Sequence, residues 1–265
     1  MIKIQENVEL TPYLTMREKG IARYFCVAKS AEELLEAVNF AQEKKLPFFV
    51  LGGGSNVILG SELYPGLIIK NEYQKFKIKN FKLKIEISVS SGYPMSKLVN
   101  ETVKNGWSGL EYFAGLPGTV GGAVIGNAHW TKPLVHIKDL VKKINIKNSI
   151  IFDITLQLKK ENPKILEQRA KEVIEYRKTT QPTGFSSGCI FQNLSDYVST
   201  GKLIDQAGLK GLRSGAFYVS DKHANFIMSD GSGNPSDLLT LIGIIKQRIK
   251  EKYALELKEE VILLL

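Results

Sequence analysis

Cysteine and histidine are scarce in this chain. Its 265 residues include two cysteines, Cys26 and Cys189, which lie far apart, and three histidines. Two distant cysteines do not make a disulfide framework and fit a reducing compartment, so we expect a cytoplasmic protein. His129 and His136 are seven positions apart, which does not match the spacing of a metal-binding motif. We therefore predict no metal ion.

Long apolar runs are also missing. No uninterrupted apolar segment reaches the length needed to cross a bilayer, and the first residues lack the apolar core of a signal peptide. The composition, 43% hydrophobic and 24% charged, is normal for a globular protein with an ample core. We expect one large domain or two of ordinary size, and no membrane partner.

The chain carries a formal net charge of +9, which invites a nucleic-acid interpretation. Its densest basic stretch, residues 70–84, alternates lysines with Phe76, Ile78, Phe81 and Leu83. Period-two alternation is typical of strands with one solvated face, and lysine is common on exposed sheet edges. No recognised nucleic-acid module accompanies the stretch, so nucleic acid is only the weaker alternative.

Two glycine clusters are the most informative feature of the sequence. The first, residues 52–56, follows the apolar run Phe48–Leu51, and the second lies within residues 111–123. An ordinary tight turn would explain either cluster alone. Together they favour a large anionic ligand such as a dinucleotide, because glycine loops let the backbone approach a pyrophosphate closely. The candidate cofactor-binding residues are Gly52, Gly53, Gly54, Ser55, Asn56, Gly115, Gly118, Thr119, Gly121 and Gly122.

Neither cluster matches the two commonest phosphate-binding motifs. A P-loop ends in Gly-Lys-Ser/Thr, which both clusters lack. The Rossmann fingerprint G-x-G-x-x-G is incomplete, since the last glycine is missing after Gly52–Gly54 and the first pair is missing before Gly121. The two clusters therefore favour a less common type of dinucleotide-binding site.

The remaining pattern predicts a mixed α and β chain. Ser30 and Glu33 form a capping box at the start of a helix that continues to about Lys45. Further helices are expected over 93–105, 163–178 and 236–253, and strands over 48–51, 66–70 and 82–89. The charged stretch Lys159–Pro163 is the best candidate for a domain boundary, which suggests domains of residues 1–160 and 161–265.

These blocks, in this order and spacing, resemble the UDP-N-acetylenolpyruvoylglucosamine reductase family over nearly the whole chain. The matching segments come from both halves of the sequence, and so many blocks rarely coincide by accident. They are Leu51–Asn56, Gly109–Ala123 with Asn127-Ala128, Gln181-Pro182, Ser187–Asn193, Leu203–Gly211, Ser220–Phe226 and Glu260-Val261.

The resemblance implies an α+β fold, in which a vanillyl-alcohol-oxidase-type FAD-binding domain precedes a smaller α+β substrate-binding domain. It implies an oxidoreductase of peptidoglycan synthesis, a UDP-N-acetylmuramate dehydrogenase with FAD as cofactor and NADPH as cosubstrate. Hydride from NADPH would reach the enolpyruvyl group of the UDP-sugar by way of the flavin. We expect this small-molecule UDP-sugar as the partner, and a monomer.

The resemblance also assigns the site residues. The family's proton donor is a serine, and Cys189 stands at that position; a thiol with an unperturbed pKa of about 8.5 is intrinsically the better acid. A buried, inert cysteine is the alternative interpretation. The family's closing glutamate maps to Glu260, although Glu259 is indistinguishable from it by sequence alone. Asn193 maps to a substrate-diphosphate contact, and Arg177 adds positive charge near the same anion or simply lies at the surface.

One departure from the family weakens the expectation of activity. The family's Tyr-Arg block is lost from the short segment between Asp139 and Ile154, so no residue inherits its catalytic arginine. Lys142, Lys143 and Lys147 are the cations nearest in sequence to the loss. The alternative function is therefore a folded but catalytically weak flavin- or nucleotide-binding relic.

Overall fold

The structure is a computed structural model that describes residues 2–80, 84–195 and 198–265. Its helices are α1 (Ala31–Glu43), α2 (Met95–Lys104), α3 (Val120–Ile125), α4 (Pro163–Thr180), α5 (Thr200–Gln206) and α6 (Pro235–Tyr253). Its strands are β1 (Gln5–Glu9), β2 (Ile21–Ala28), β3 (Phe48–Leu51), β4 (Val57–Leu59), β5 (Leu63–Asn71), β6 (Phe76–Asn80), β7 (Lys84–Ser90), β8 (Trp107–Ser108), β9 (His129–Thr131), β10 (Leu134–His136), β11 (Val141–Lys147), β12 (Ile150–Lys160), β13 (Arg213–Ser214), β14 (Phe217–Val219), β15 (Ile227–Ser229) and β16 (Ile262–Leu264).

The predicted helices and strands are confirmed to within a few residues. The Ser30 side chain accepts a hydrogen bond from the Glu33 amide at 3.2 Å, which is the expected cap of α1. The strand predicted over 82–89 is observed as β7, although Phe81, Lys82 and Leu83 lie outside the described residues. Helix α3, inside the second glycine cluster, was not predicted.

The chain forms two compact units, each built from several segments. The first comprises Met1–Ile4, Phe25–Gly53 and Leu67–Thr179, and the second comprises Gln5–Tyr24, Gly54–Gly66 and Thr180–Leu265. Within the first unit, β3 pairs in parallel with residues 67–70 of β5. Each unit also has its own cluster of buried apolar side chains, which supplies the main driving force for folding.

The core of the first unit lies against a five-stranded antiparallel sheet. The order is β11-β12-β7-β6, and β8 pairs with β12. Alternate residues of β7 and β12, among them Ile85 and Ile154, are buried together with Leu98 and Val99 of α2. In the second unit, α5 and α6 contribute apolar side chains to a core shared with β14, β15 and β4.

The segment in which we expect the family's arginine block to be missing is a tight hairpin. Lys147 of β11 pairs with Ile150 of β12, so only Asn148 and Ser149 form the turn. Both turn residues have positive φ, 50° and 62°, as in the two-residue turns that match the twist of a hairpin. Lys142, Lys143 and Lys147 are all exposed on β11, and the Lys142 ammonium pairs with Glu86.

Glu18, in the second unit, is a fully buried carboxyl group. Its Oε1 accepts a hydrogen bond from the Leu59 amide at 3.0 Å, whereas its Oε2 has no partner among the described residues. Burial raises the pKa of Glu18 from 4.5 to about 8, and the bond from Leu59 offsets only part of this effect. The folded protein therefore keeps Glu18 protonated at neutral pH.

We expect Glu18 to make stability fall as the pH rises. Because its folded pKa is raised, its contribution is fully present below pH 4.5 and is lost as the pH approaches about 8. The slope in this window is about 1.4 kcal/mol per pH unit. The Glu18→Gln variant keeps the acceptor for the Leu59 amide. Urea unfolding should show that its free energy of unfolding rises relative to that of the parent between pH 5 and pH 8. Glu101→Gln, an exposed control, should show no such gain; a pH-independent difference for Glu18→Gln would contradict the prediction.

Candidate functional site

The first glycine cluster and the second are in direct contact within the first unit. A Cβ atom added to Gly53 would lie 2.5 Å from the Cα of Gly118, and one added to Gly52 would lie 2.5 Å from the Thr119 Oγ1. Both distances are far below van der Waals contact. At Gly53 the obstacle is main chain, so only glycine fits there, whereas at Gly52 the Thr119 hydroxyl would have to move. The two clusters therefore lie against each other as one cradle of glycine loops, and such loops let the main chain approach a pyrophosphate closely.

The second cluster is anchored to residues 91–95 by main-chain hydrogen bonds. The amides of Val120 and Gly121 donate to the carbonyls of Tyr93 and Ser91, each at 2.9 Å. A Cβ at Gly121 would come within 2.9 Å of the Ser91 carbonyl oxygen, so this glycine permits the close packing of two backbones. The amide of Gly121 is thus engaged by the fold, and its contribution to a cofactor is to hold the loop in place.

The other glycines of the second cluster shape its turn. Gly115 and Gly118 have φ of +77° and +99°, which residues with a side chain rarely adopt. Thr119 accepts a bond from the Gly122 amide at 3.4 Å and so caps α3. The sequence-predicted residues of the second cluster therefore lie together in one continuous turn.

Lys70 contacts the cradle, although no sequence motif indicated it. It lies opposite Leu51 in the parallel pair β3–β5, and its ammonium group donates a hydrogen bond to the Gly52 carbonyl. Burial lowers the pKa of Lys70, and nearby Glu72 acts in the opposite direction. The available sequence signal was a lysine that directly follows the apolar run Leu67–Ile69. Its position brings a cation to the edge of the first glycine cluster.

Arg177 also lies beside the cradle. Its Nε donates to the Ala114 carbonyl at 3.1 Å, and its guanidinium carbon is 5.5 Å from the centre of the Trp130 ring. The side chain passes Gly115, where an added Cβ would meet the Arg177 Cδ at 3.3 Å. Arg177 therefore belongs to the first unit, next to the second glycine cluster.

The second unit brings Cys189 and Glu260 onto neighbouring segments. The Glu260 amide donates to the carbonyl of Ile190 at 2.8 Å, and Cys189 forms an isolated β-bridge with Phe226. Cys189 is partly exposed, whereas the two residues after it, Ile190 and Phe191, are buried. The cysteine thus borders an apolar core while its surface remains accessible.

Asn56, the last residue of the first glycine cluster, contacts the Glu260 segment. Asn56 Nδ2 donates to the Glu260 carbonyl at 3.3 Å, and the Ile262 amide donates to the Asn56 carbonyl at 2.9 Å. Strands β4 and β16 continue this contact as a parallel pair. A sequence-predicted cofactor residue and the two predicted catalytic residues are therefore linked by consecutive main-chain contacts within one unit.

The structure separates the two glutamates that the sequence could not distinguish. The Glu259 carboxylate is 2.7 Å from the ammonium of Lys246, and although desolvation opposes it, this bond holds the pKa of Glu259 below its usual value. Desolvation raises the pKa of the Glu260 carboxyl group, although the residue as a whole is exposed. The pKa of Glu260 is thus shifted in the direction that favours holding a proton and that of Glu259 in the opposite direction, which favours Glu260 for the proposed role.

Asn193 lies close behind Cys189 in sequence and is exposed. Its Oδ1 accepts a hydrogen bond from the Thr200 amide at 3.1 Å at the start of α5. Asn193 therefore belongs to the second unit and Arg177 to the first. Within the described residues, no three His, Cys, Asp or Glu side chains are grouped as metal ligands. None of the described helices has the length and apolarity to cross a membrane.

The cradle and the fold define the class of this protein. Residues 22–146 match the family model described as FAD binding domain, which agrees with the cradle of residues 52–53 and 118–119. The α+β architecture, with a vanillyl-alcohol-oxidase-type FAD-binding domain followed by a smaller α+β domain, is confirmed. The protein is thus an FAD-dependent oxidoreductase by class.

Comparison with known proteins then identifies the family. Residues 181–264 match the model of the UDP-N-acetylenolpyruvoylglucosamine reductase C-terminal domain. The reductase of that name from Chlamydia muridarum is 35% identical over 97% of this chain and 93% of its own, and that from Acaryochloris marina is 31% identical over 98% and 92%. The crystal structure of the Thermus caldophilus enzyme superposes with a TM-score of 0.83 at 29% identity, covering 99% of both chains. The chain belongs to the UDP-N-acetylenolpyruvoylglucosamine reductase family.

Proposed function

We propose that this protein reduces the enolpyruvyl group of UDP-N-acetylglucosamine enolpyruvate to UDP-N-acetylmuramate, with consumption of NADPH, in peptidoglycan synthesis. The family membership over 97% of the chain supports this reaction. The observation that carries it is the contact of the Cys189 segment with the Glu260 segment, which is joined in turn to Asn56, the last residue of the first glycine cluster.

FAD is the cofactor of this reaction, and the cradle suits it. Gly52 and Gly53 against Gly118 and Thr119 would hold its pyrophosphate, because glycine lets the main chain of both loops approach a ligand closely, whereas a Cβ at either glycine would collide with the opposing loop. The partly buried ammonium of Lys70 would offset part of the pyrophosphate charge. When bound, FAD supplies the hydride relay between NADPH and the substrate.

The residues of the second unit would manage the proton. Hydride addition to the vinyl carbon leaves negative charge on the neighbouring carbon, which needs a positioned acid. We assign Cys189 as that acid and Glu260 as the carboxyl group that orients the proton or the developing enolate. We assign Asn193 to the substrate diphosphate, and Arg177 to added positive charge for the same anion.

The proposal also covers the domain boundary, the oligomeric state and the cellular location. The functional division at residues 160 and 161, the monomeric state and the cytoplasmic location all remain predictions. Size-exclusion chromatography with light scattering tests the monomer, for which the mass is 29.6 kDa.

The second candidate function is a catalytically weak flavin-binding relic. It is favoured by the two-residue turn at Asn148 and Ser149, which leaves no room for the family's arginine block. The three lysines of β11 are exposed, so they would replace a fixed cation only poorly.

An anaerobic assay with NADPH and the enolpyruvyl nucleotide separates the two functions. We expect oxidation of NADPH that depends on the nucleotide, with one UDP-N-acetylmuramate formed for each NADPH. Protein that binds FAD and forms no product would establish the relic. Protein that takes up no FAD would overturn both functions.

A further inference from the structure

We infer that Asn225 is a positioning residue that holds the Cys189 segment in the register needed beside Glu260. The inference rests on the proposed function, since it gives Cys189 a task in the same reaction. Asn225 is 3% exposed and is buried in the core of the second unit. Its side chain bonds to the main chain of Phe191 and its main-chain carbonyl bonds to Ile190, so Asn225 acts on the thiol through these two residues.

The contacts of Asn225 form a clamp around one peptide segment. Its Oδ1 accepts from the Phe191 amide at 3.0 Å, and its Nδ2 donates to the Phe191 carbonyl at 2.8 Å. Its main-chain carbonyl accepts from the Ile190 amide at 2.8 Å. Three hydrogen bonds from one residue therefore fix the two residues that directly follow Cys189.

The clamp matters because this segment belongs to no regular strand. On one side it contacts Asn225 and Phe226, and on the other the Ile190 carbonyl accepts from the Glu260 amide. The buried side chains of Ile190 and Phe191 anchor the segment, but apolar packing has no direction. A rotation of this segment about its main chain would therefore turn the thiol away from its neighbours.

His223 in turn fixes Asn225. Its Nδ1 accepts from the Asn225 amide at 3.3 Å, and its ring meets the edge of Phe226 with centres 4.8 Å apart. Burial lowers the pKa of His223, which keeps the imidazole neutral and its Nδ1 able to accept. The clamp is therefore a chain of contacts that runs from His223 through Asn225 to the residues after Cys189.

The test uses Asn225→Asp and Asn225→Ala in the FAD-loaded protein. Aspartate keeps the shape of asparagine and the acceptor for the Phe191 amide but loses the amide donor, and alanine loses both. Iodoacetamide reports on the thiol without turnover, since Cys26 is fully buried with a pKa raised to about 12 and Cys189 is partly exposed. Stopped-flow measurements report the two half-reactions separately.

We expect each Asn225 variant to change the rate of Cys189 alkylation severalfold, because the thiol is held in a different position. Reoxidation of the reduced flavin by the enolpyruvyl nucleotide should be about tenfold to a hundredfold slower, the usual effect of a misplaced catalytic group. Reduction of the flavin by NADPH should match the parent, because that step does not use Cys189.

Thr200→Val is the matched control. Thr200 is also fully buried, and its Oγ1 donates at 2.6 Å to the carbonyl of Gln192, the residue after Phe191. Its loss loosens the same segment without freeing Ile190 or Phe191, so alkylation should stay close to the parent.

Parental alkylation and parental reoxidation in the folded Asn225→Asp protein would overturn the inference, as would an equal effect of Thr200→Val. If Asn225→Ala does not fold, Asn225→Asp carries the test, because it has the same shape as asparagine. A parent without turnover would overturn the proposed function alone, since the alkylation rates still decide whether Asn225 positions the thiol.

Discussion

Replacing Cys189 by alanine is expected to slow reoxidation of the reduced flavin by the enolpyruvyl nucleotide by about a hundredfold to ten-thousandfold. This is the usual cost of removing a general acid. Reduction of the flavin by NADPH should remain nearly intact, since it requires no proton from Cys189. Stopped-flow absorbance of the flavin, recorded anaerobically for each half-reaction, gives both rates directly.

Cys189→Ser is the control for this prediction. It introduces the residue that the family resemblance implies at this position and should recover much of the lost rate, although an alcohol is a weaker acid than a thiol. The partial exposure of Cys189 leaves space for either side chain. Equal rates for Cys189→Ala and the parent in both half-reactions would make Cys189 a packing residue only.

The second large effect is expected from a single methyl group in the cradle. In Gly53→Ala the new Cβ would lie 2.5 Å from the Gly118 Cα, and since that atom is main chain and cannot rotate away, the two loops must separate. We expect FAD to bind about tenfold to a hundredfold more weakly, which corresponds to about 1.4–2.8 kcal/mol. Titration of the apoprotein with FAD, followed by flavin fluorescence, measures the dissociation constant.

Gly243→Ala provides the comparison. Gly243 lies in α6 and a Cβ there would meet no atom within 4 Å, so FAD affinity should be unchanged. Far-UV circular dichroism should show that both variants keep the parental secondary structure. Parental FAD affinity in Gly53→Ala would show that the two loops do not form the cofactor cradle.

Local signals explain why most helices and strands were predicted correctly. The cap at Ser30 and the glycine-proline boundaries of α2 and α4 act within a few residues, so the sequence contains them. Helix α3 was missed because two of its six residues are glycine, which disfavours helix. It forms since distant residues, Ser91 and Tyr93, accept its first amides.

The residues of the site, like the helices and strands, could be predicted where the signal is local in the sequence and not where it depends on distant residues. The glycine clusters and the Cys189 motif were recognisable in the sequence because each is a short continuous segment. The difference between Glu259 and Glu260 was not recognisable, because it depends on Lys246, which α6 brings to Glu259. Lys70 and Asn225 were not predicted for a related reason, because each bonds to a residue distant in sequence. Lys70 bonds to Gly52, and Asn225 bonds to Phe191.

The sequence by itself determined the family, the FAD-binding class and the residues available for chemistry, because these reside in the types and spacing of side chains. Only the tertiary structure decided that the two glycine clusters touch, that Glu260 and not Glu259 has the raised pKa, and that Asn225 clamps the segment after Cys189. The physical reason is that burial, close contact and hydrogen-bond geometry arise between residues distant in sequence, and they exist only once the chain has folded.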